Sequence, residues 1–186
     1  MNQRTLIQEC GRLIELFLTS RAEALEQAVR VSVDALRGGR KILLFGNGGS
    51  AAEAQHFAAE LVNKFFKPRP PIRAVALTTD TSVLTSIGND AGFETVFSRQ
   101  IEALADAGDV ALALSTSGGS PNVIRALRAA RKIKMVTIGL TGEGGGKMAG
   151  LCDILLDVPS SRTPRVQEIH LIALHVLAEE IEKVLT

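Results

Sequence analysis

The chain has little that would cross-link it or tie it to a large charged partner. Cysteine occurs twice in 186 residues, at Cys10 and Cys152. The two are isolated, with no C-x-x-C pair and no disulfide framework, and read as ordinary reduced thiols. Charge of one sign is also lacking. Lys and Arg number 21 against 20 Asp and Glu, for a formal +1, and neither end is a basic arm, which argues against nucleic acid or an acidic membrane as partner. The basic residues between Arg125 and Lys134 alternate with alanines at helical spacing and read as a solvated helix face. No apolar run approaches the ~18 residues of a membrane span. Residues 1–5 lack the basic-then-apolar order of a secretory signal, so a cytoplasmic protein is expected. There is no repeat or low-complexity tract, and Lys67-Pro-Arg-Pro-Pro71 reads as a surface turn.

What is present is an alternation of apolar runs and helical patterns. Leu6, Leu13, Ile14, Phe17 and Leu18, then Ala22, Leu25, Ala28, Val29, Val31 and Leu36, recur at helical spacing up to Gly38-Gly39. They predict one or two amphipathic helices over 1–37. Strands are predicted at 41–45, 73–77, 110–114, 134–140 and 153–157. Helices are predicted near 50–65, 81–87, 95–107, 121–132 and 163–185. Continuous apolar strands separated by helices predict an α/β three-layer sandwich, a parallel sheet covered on both faces. A single domain over 1–186 is expected, with residues 38–186 forming the α/β core. The N-terminal stretch has many apolar positions for an element packed on one side only, which points to a partner subunit.

Two loops carry the chemistry. The run Lys41-Ile-Leu-Leu-Phe45 passes into Gly46-Asn47-Gly48-Gly49-Ser50, and Val110-Ala-Leu-Ala-Leu114 passes into Ser115-Thr116-Ser117-Gly118-Gly119-Ser120-Pro121. A strand that turns through small residues into a helix presents backbone N–H groups at the positive end of the helix dipole, which suits a phosphate. The first loop fits a loose G-x-G-x-x-A, but no acidic residue follows at the dinucleotide-binding distance. Neither it nor Gly142-Glu-Gly-Gly-Gly-Lys147 ends in the Gly-Lys-Ser/Thr of an ATP-binding loop. The segment at 142–147 reads as a turn before a short helix. Ser120 and Pro121 make an N-cap and N1 pair. Capping leaves Ser115, Thr116 and Ser117 unexplained, and phosphate binding accounts for them.

Acid–base candidates lie on two helices. His56 and Glu60 are four apart and share a face. Gln167 and His175 share roughly one side of the last predicted helix, and His170 is on another. If the helices converge, His56, Glu60, Gln167 and His175 form a mixed nitrogen and oxygen set able to hold Zn²⁺ or a similar divalent ion. The same set holds a carboxylate and an imidazole suited to proton transfer.

The segments Gly46–Ser50, Gln55-His-Phe-Ala-Ala-Glu60-Leu, Gly88-Asn-Asp90, Ser115-Thr-Ser-Gly118, Gly145-Gly-Lys-Met-Ala-Gly150 and Arg165-Val-Gln-Glu-Ile-His170 together resemble the sugar isomerase (SIS) domain family, and within it the bacterial phosphoheptose isomerases. The resemblance covers nearly the whole chain. It implies a flavodoxin-like sheet order and a ligand pocket around Asn47, Gly48, Gly49, Ser50, Asn89, Asp90, Ser115, Thr116, Ser117, Ser120, Glu60 and Gln167. It implies Glu60 and His175 as the catalytic acid/base pair, and His56, Glu60, Gln167 and His175 as ligands of one Zn²⁺ per subunit. It further implies a homotetramer with active sites between subunits. The implied reaction converts sedoheptulose 7-phosphate to D-glycero-D-manno-heptose 7-phosphate for lipopolysaccharide precursors. The chain departs from the family pattern at Gly119, where Asn is common, and at Pro164, which removes a donor near the pocket rim. The rival reading is a non-catalytic phosphosugar-binding relative that acts in replication initiation through DnaA. Those relatives lack the counterparts of Glu60 and His175, both present here.

Overall fold

A computed structural model describes residues 2–186. Its element order is α1 (Gln3–Arg37), β1 (Ile42–Gly46), α2 (Gly49–Val62), β2 (Ala74–Ala76), α3 (Thr81–Asp90), α4 (Val96–Leu104), β3 (Val110–Ser115), α5 (Pro121–Lys132), β4 (Val136–Thr141), β5 (Ile154–Asp157) and α6 (Thr163–Leu185). The five strands are all parallel, in the order β2-β1-β3-β4-β5. This is the doubly wound order expected from the sequence.

Alternate residues of each strand serve opposite layers, because the side-chain period of a strand is two. Ile42, Leu44, Leu112, Leu114, Ile138 and Leu140 join the side chains of α1, α2 and α6. Leu43, Phe45, Ala111 and Ala113 join those of α4 and α5. With both faces covered, the strands read as unbroken apolar runs, which is how they were legible.

The N-terminal segment is one continuous helix of 35 residues, stopped at Gly38. Its inward stripe (Leu13, Phe17, Leu25, Ala28 and Val33) is buried in the core shared with α6 and β5. Arg21 adds a two-pronged ion pair to Asp157 at the end of β5, at 2.6 and 2.9 Å. Intramolecular packing therefore accounts for most of the apolar positions of α1. Ile7, Leu16 and Leu18 remain exposed at 74%, 55% and 41%.

The strand expected at 134–140 starts later and runs further. Lys134 takes a left-handed turn (φ 65°) and closes α5 before β4 begins. α2 and α4 stop short of their expected ends, at Val62 and Leu104.

The proline-rich stretch is more than a surface turn. Glu182 on α6 accepts the N–H groups of Phe65, Phe66 and Lys67 at 2.9, 2.9 and 3.1 Å and the Arg69 Nε–H at 3.0 Å. Arg69 also donates to the carbonyls of Glu60 and Leu61 at 2.8 and 2.7 Å. It satisfies acceptors that the last turn of α2 leaves free. Both side chains of the ion pair are almost fully buried, at 2% and 3% exposure. Burial alone would raise the Glu182 carboxyl, but the three N–H donors and the guanidinium prevail and hold it down to about 2.

Removing one partner of such a pair strands the other charge. Arg69→Met should therefore cost about 3–5 kcal/mol at neutral pH, read from urea unfolding. The depressed carboxyl contributes stability that is fully present above its ordinary 4.5 and lost as pH falls toward about 2. The unaltered protein should lose stability across that window more steeply than Arg69→Met. Equal acid profiles would show that the clasp carries no charge-dependent stability.

Candidate active site

β1 and β3 are neighbours in the sheet, yet the helices that follow them pack on opposite faces. The crevice outside their carboxyl ends is thus the switch point where doubly wound folds bind ligands. A cavity of about 290 Å³ lies there, at the amino ends of three helices: Gly48, Gly49 and Ser50 of α2, Ser120 before α5, and Thr163 and Gln167 of α6. Asn47, Ser115 and Thr116 complete its polar wall. The lining offers hydroxyls, amides and backbone, with no charged side chain among the described residues. Attraction for an anion there comes from oriented dipoles rather than from Lys or Arg. A larger groove of about 580 Å³ runs along the β2 edge, but it is largely aliphatic and lies away from both glycine and serine loops.

Two glycines stand at close approaches. A Cβ at Gly49 would overlap the end of the Gln167 side chain, so glycine there lets that amide lie on the first turn of α2 without swinging aside. Gly118 holds φ 59° and packs directly on the Gly145 carbonyl, locking the serine loop against the turn at 142–145. That turn leads into a short 3₁₀ helix, Gly146–Met148.

The hydroxyls of the serine loop divide their work. Ser120 occupies the N-cap position of α5 but makes no capping bond. Its Oγ lies 3.0 Å from Ser115 Oγ, and both line the cavity. The cap expected of its side chain is replaced by Asn122 Oδ1, which accepts the Val123 N–H at 2.9 Å. Ser117 does not line the cavity, and its Oγ accepts the Gly119 N–H at 3.2 Å. Pro164 falls in the first turn of α6, where its missing N–H would have had no helical partner, so it leaves the rim intact. Asn89 and Asp90 lie exposed in the last turn of α3, joined to each other at 2.7 Å, and line no part of the cavity.

Further along α2 and α6 the expected acid–base residues meet. His56 Nε2 lies 2.8 Å from His175 Nε2 and 3.5 Å from Glu60 Oε1. The two rings pack edge-on at 5.1 Å, and the Phe65 ring lies 5.7 Å from that of His175. Two imidazoles and a carboxylate are donors that zinc uses. The direct nitrogen-to-nitrogen contact, however, is tighter than the ~3.3 Å separation of two nitrogens held tetrahedrally at ~2.0 Å from one ion, and it requires a proton on one ring. Among the described residues no group of three His, Cys, Asp or Glu side chains is arranged to hold an ion. The expected four-residue zinc set is therefore not preassembled. The donor types fit, but an ion would have to displace that proton and spread the rings.

The profile of the SIS domain family matches residues 6–142. A phosphoheptose isomerase of Nitratidesulfovibrio vulgaris is 52% identical over 96% of this chain and 80% of its own length. One of Aquifex aeolicus is 48% identical over 97% and 94%. The solved structure of a phosphoheptose isomerase from Neisseria gonorrhoeae superposes with a TM-score of 0.91 at 45% identity, over 97% of this chain and 96% of that one. The chain belongs to the SIS domain family.

Within this SIS domain, sequence reasoning missed several side chains that hold the site. Asn122 and Asn47 exchange two amide hydrogen bonds at 2.9 and 2.8 Å across the switch point, and Asn122 is buried. An Asn directly after Ser-Pro at a helix start was a capping signal, but nothing in the sequence paired it with Asn47. Glu53, His170, Arg69 and Glu182 were missed for the same reason, since each acts with a residue remote in sequence. Cys10 and Cys152 are free thiols. Burial pushes that of Cys152 up to about 12, which disfavours its thiolate.

Asn122→Ala would strip the Asn47 amide, in the cavity wall, of both its hydrogen bonds. It should destabilise the fold by ~1–3 kcal/mol in denaturant unfolding, and a change well below that would show the amide pair to be dispensable.

Proposed function

We propose that this chain is a phosphoheptose isomerase that interconverts sedoheptulose 7-phosphate and D-glycero-D-manno-heptose 7-phosphate through an enediol. The observation that carries the reading is the convergence of the Glu60 carboxylate with the His56 and His175 imidazoles, on the two helices whose amino ends form an uncharged, hydroxyl-lined anion cavity. Close relatives across nearly the whole chain bear the same activity in their names. Ser115, Thr116, Ser120 and the helix amino ends hold the phosphate. Glu60 removes the proton α to the carbonyl, and His175 serves the oxygen as acid. Near neutral pH an imidazole suits that second role. If Zn²⁺ binds, His56, Glu60 and His175 would hold it, and it would polarise the substrate oxygens; Gln167, expected as a fourth ligand, lies instead against Gly49, seven residues before His56 on α2. The product would feed heptose precursors of lipopolysaccharide in the cytoplasm.

We further propose a homotetramer with active sites between subunits. Ile7 and Leu18, which share one side of α1, and Leu16 on another are left uncovered. Glu60 stands ten residues beyond Ser50 on α2, about 15 Å along the helix axis. That is a long reach for a sugar whose phosphate sits at Ser50 of the same chain. Asn89 and Asp90, remote from their own cavity, are free to serve a neighbour's.

With sedoheptulose 7-phosphate as substrate, Glu60→Gln and His175→Ala should each lower kcat by about 10²-fold or more, while Ser120→Ala raises KM and spares kcat. Folded variants with normal kcat would remove Glu60 and His175 from the chemistry. Equilibrium dialysis with Zn²⁺ should show one ion per chain, lost in His56→Ala; no binding by the unaltered protein would dismiss the metal.

Mixing Glu60→Gln chains with Ser120→Asp chains should restore activity if one site draws on two subunits. Inactive mixtures, shown by mass to contain both chains, would place each site within one chain.

A further inference from the structure

Between the Gly49–Gln167 contact and the His56–His175 contact lies another crossing of α2 and α6, made by Glu53 and His170. His170 is 1% exposed, and its Nε2 lies 3.1 Å from the Thr141 carbonyl at the end of β4. A carbonyl only accepts, so Nε2 carries the hydrogen. A neutral ring then offers Nδ1 as a bare acceptor. That nitrogen is sealed from solvent and has no hydrogen-bond partner. Glu53 Oε2, also sealed and without a partner, faces it at 3.9 Å, about an ångström beyond hydrogen-bond distance, a gap that a rotation of the Glu53 carboxyl would close. Two buried polar atoms without partners, one of them an obligate acceptor, are costly unless the other brings a hydrogen.

We propose that Glu53 is held as the carboxylic acid and donates its hydrogen to His170 Nδ1, forming a neutral crosspiece that positions α6 on α2 and so sets His175 and Gln167 against His56, Glu60 and Gly49. The two groups act through helix placement and touch no substrate, so they are positioning residues. Ionising the pair would bury two charges against the apolar side chains of the core between α2, α6 and the sheet, at a cost that their attraction rarely repays. Desolvation, unopposed, pushes the Glu53 carboxyl up to about 7. Burial likewise brings the His170 imidazole down to about 4, with the Thr141 carbonyl opposing. Both shifts favour the neutral forms. The crosspiece lies one helical turn from Gln167 and from His56, so a small displacement there is carried to the acid–base residues. The catalytic consequence rests on the isomerase reading; the hydrogen bond itself does not.

The test combines nitrogen NMR with kinetics on the full-length protein. In the unaltered protein at neutral pH, His170 should be the Nε2–H tautomer, with the Nδ1 resonance shifted as in a hydrogen-bonded acceptor. Glu53→Gln keeps a donor and should preserve that signal and kcat to within a few-fold. Glu53→Leu fills the space without a donor. It should move the Nδ1 resonance to that of a free acceptor, perturb the His175 and His56 signals, and lower kcat toward 10²-fold with an unchanged melting temperature and little change in KM. A purely structural contact would instead change stability and spare kcat. Thr141 Oγ1, a third buried atom without a partner, is the competing donor. If Thr141→Val and not Glu53→Leu moves the Nδ1 signal, the assignment to Glu53 is overturned. It is equally overturned by a proton on Nδ1, or by Glu53→Leu with unaltered NMR signals. Should the unaltered protein fail to turn over the heptose phosphate, the isomerase reading falls, and the NMR comparison alone decides the crosspiece.

Discussion

The seam between α2 and α6 is the contact on which everything functional in this molecule depends. The two helices follow parallel strands and run in the same direction, so side chains climb the seam in step. Gln167 reaches Gly49, His170 faces Glu53, His175 meets His56 and Glu60, and Glu182 clasps Arg69 at the end of α2. The last three of these contacts are polar, and all four join residues more than a hundred positions apart. An apolar seam could slide by a fraction of a turn at little cost. A polar one cannot, because a displaced donor or acceptor in a buried layer is left without a partner.

On the proposed function the seam would also separate two tasks that conflict electrostatically. Phosphate would be gathered at the amino end, where three helix termini and neutral hydroxyls supply the field without bringing a cation near the carbonyl chemistry. Proton transfer would take place further along, where His56 and Glu60 are partly open to solvent. Glu182, whose charge is stabilised by three N–H groups and a guanidinium, sits beyond both. Carboxylates on these two helices thus differ in their proton affinity according to surroundings: hydrogen-bond donors hold Glu182 ionised, whereas desolvation raises Glu53.

Much of this was legible in the residues. Strands buried on both faces leave continuous apolar runs, and 3.6-residue periodicity marks α1 and α6. Small residues after β1 and β3 pointed to an anion site because a turn that exposes backbone to a ligand tolerates few side chains. The convergence of His56, Glu60 and His175 was implied by the resemblance, while helical spacing paired His56 with Glu60 and left open whether the two helices meet. Less legible was how each hydroxyl is used. Ser120 looked like a helix cap, but Asn122 takes part in the cap and frees Ser120 for Ser115. Ser117, which looked equivalent to its neighbours, turns back to its own loop.

By itself the sequence determined the layers, the strand edge that carries the ligand loops, and the residue types available for chemistry. These follow from local periodicity and from which backbone conformations small residues permit. Tertiary structure alone decided which polar atoms are buried and which partners they have: the Asn47–Asn122 exchange, the Arg69–Glu182 clasp beneath a stretch that reads as a loop, and the facing of Glu53 and His170. Those pairings depend on the placement of α2, α5 and α6 over the sheet to within about an ångström. Hydrogen bonding is that short-ranged and directional, and no pattern along a single chain encodes it.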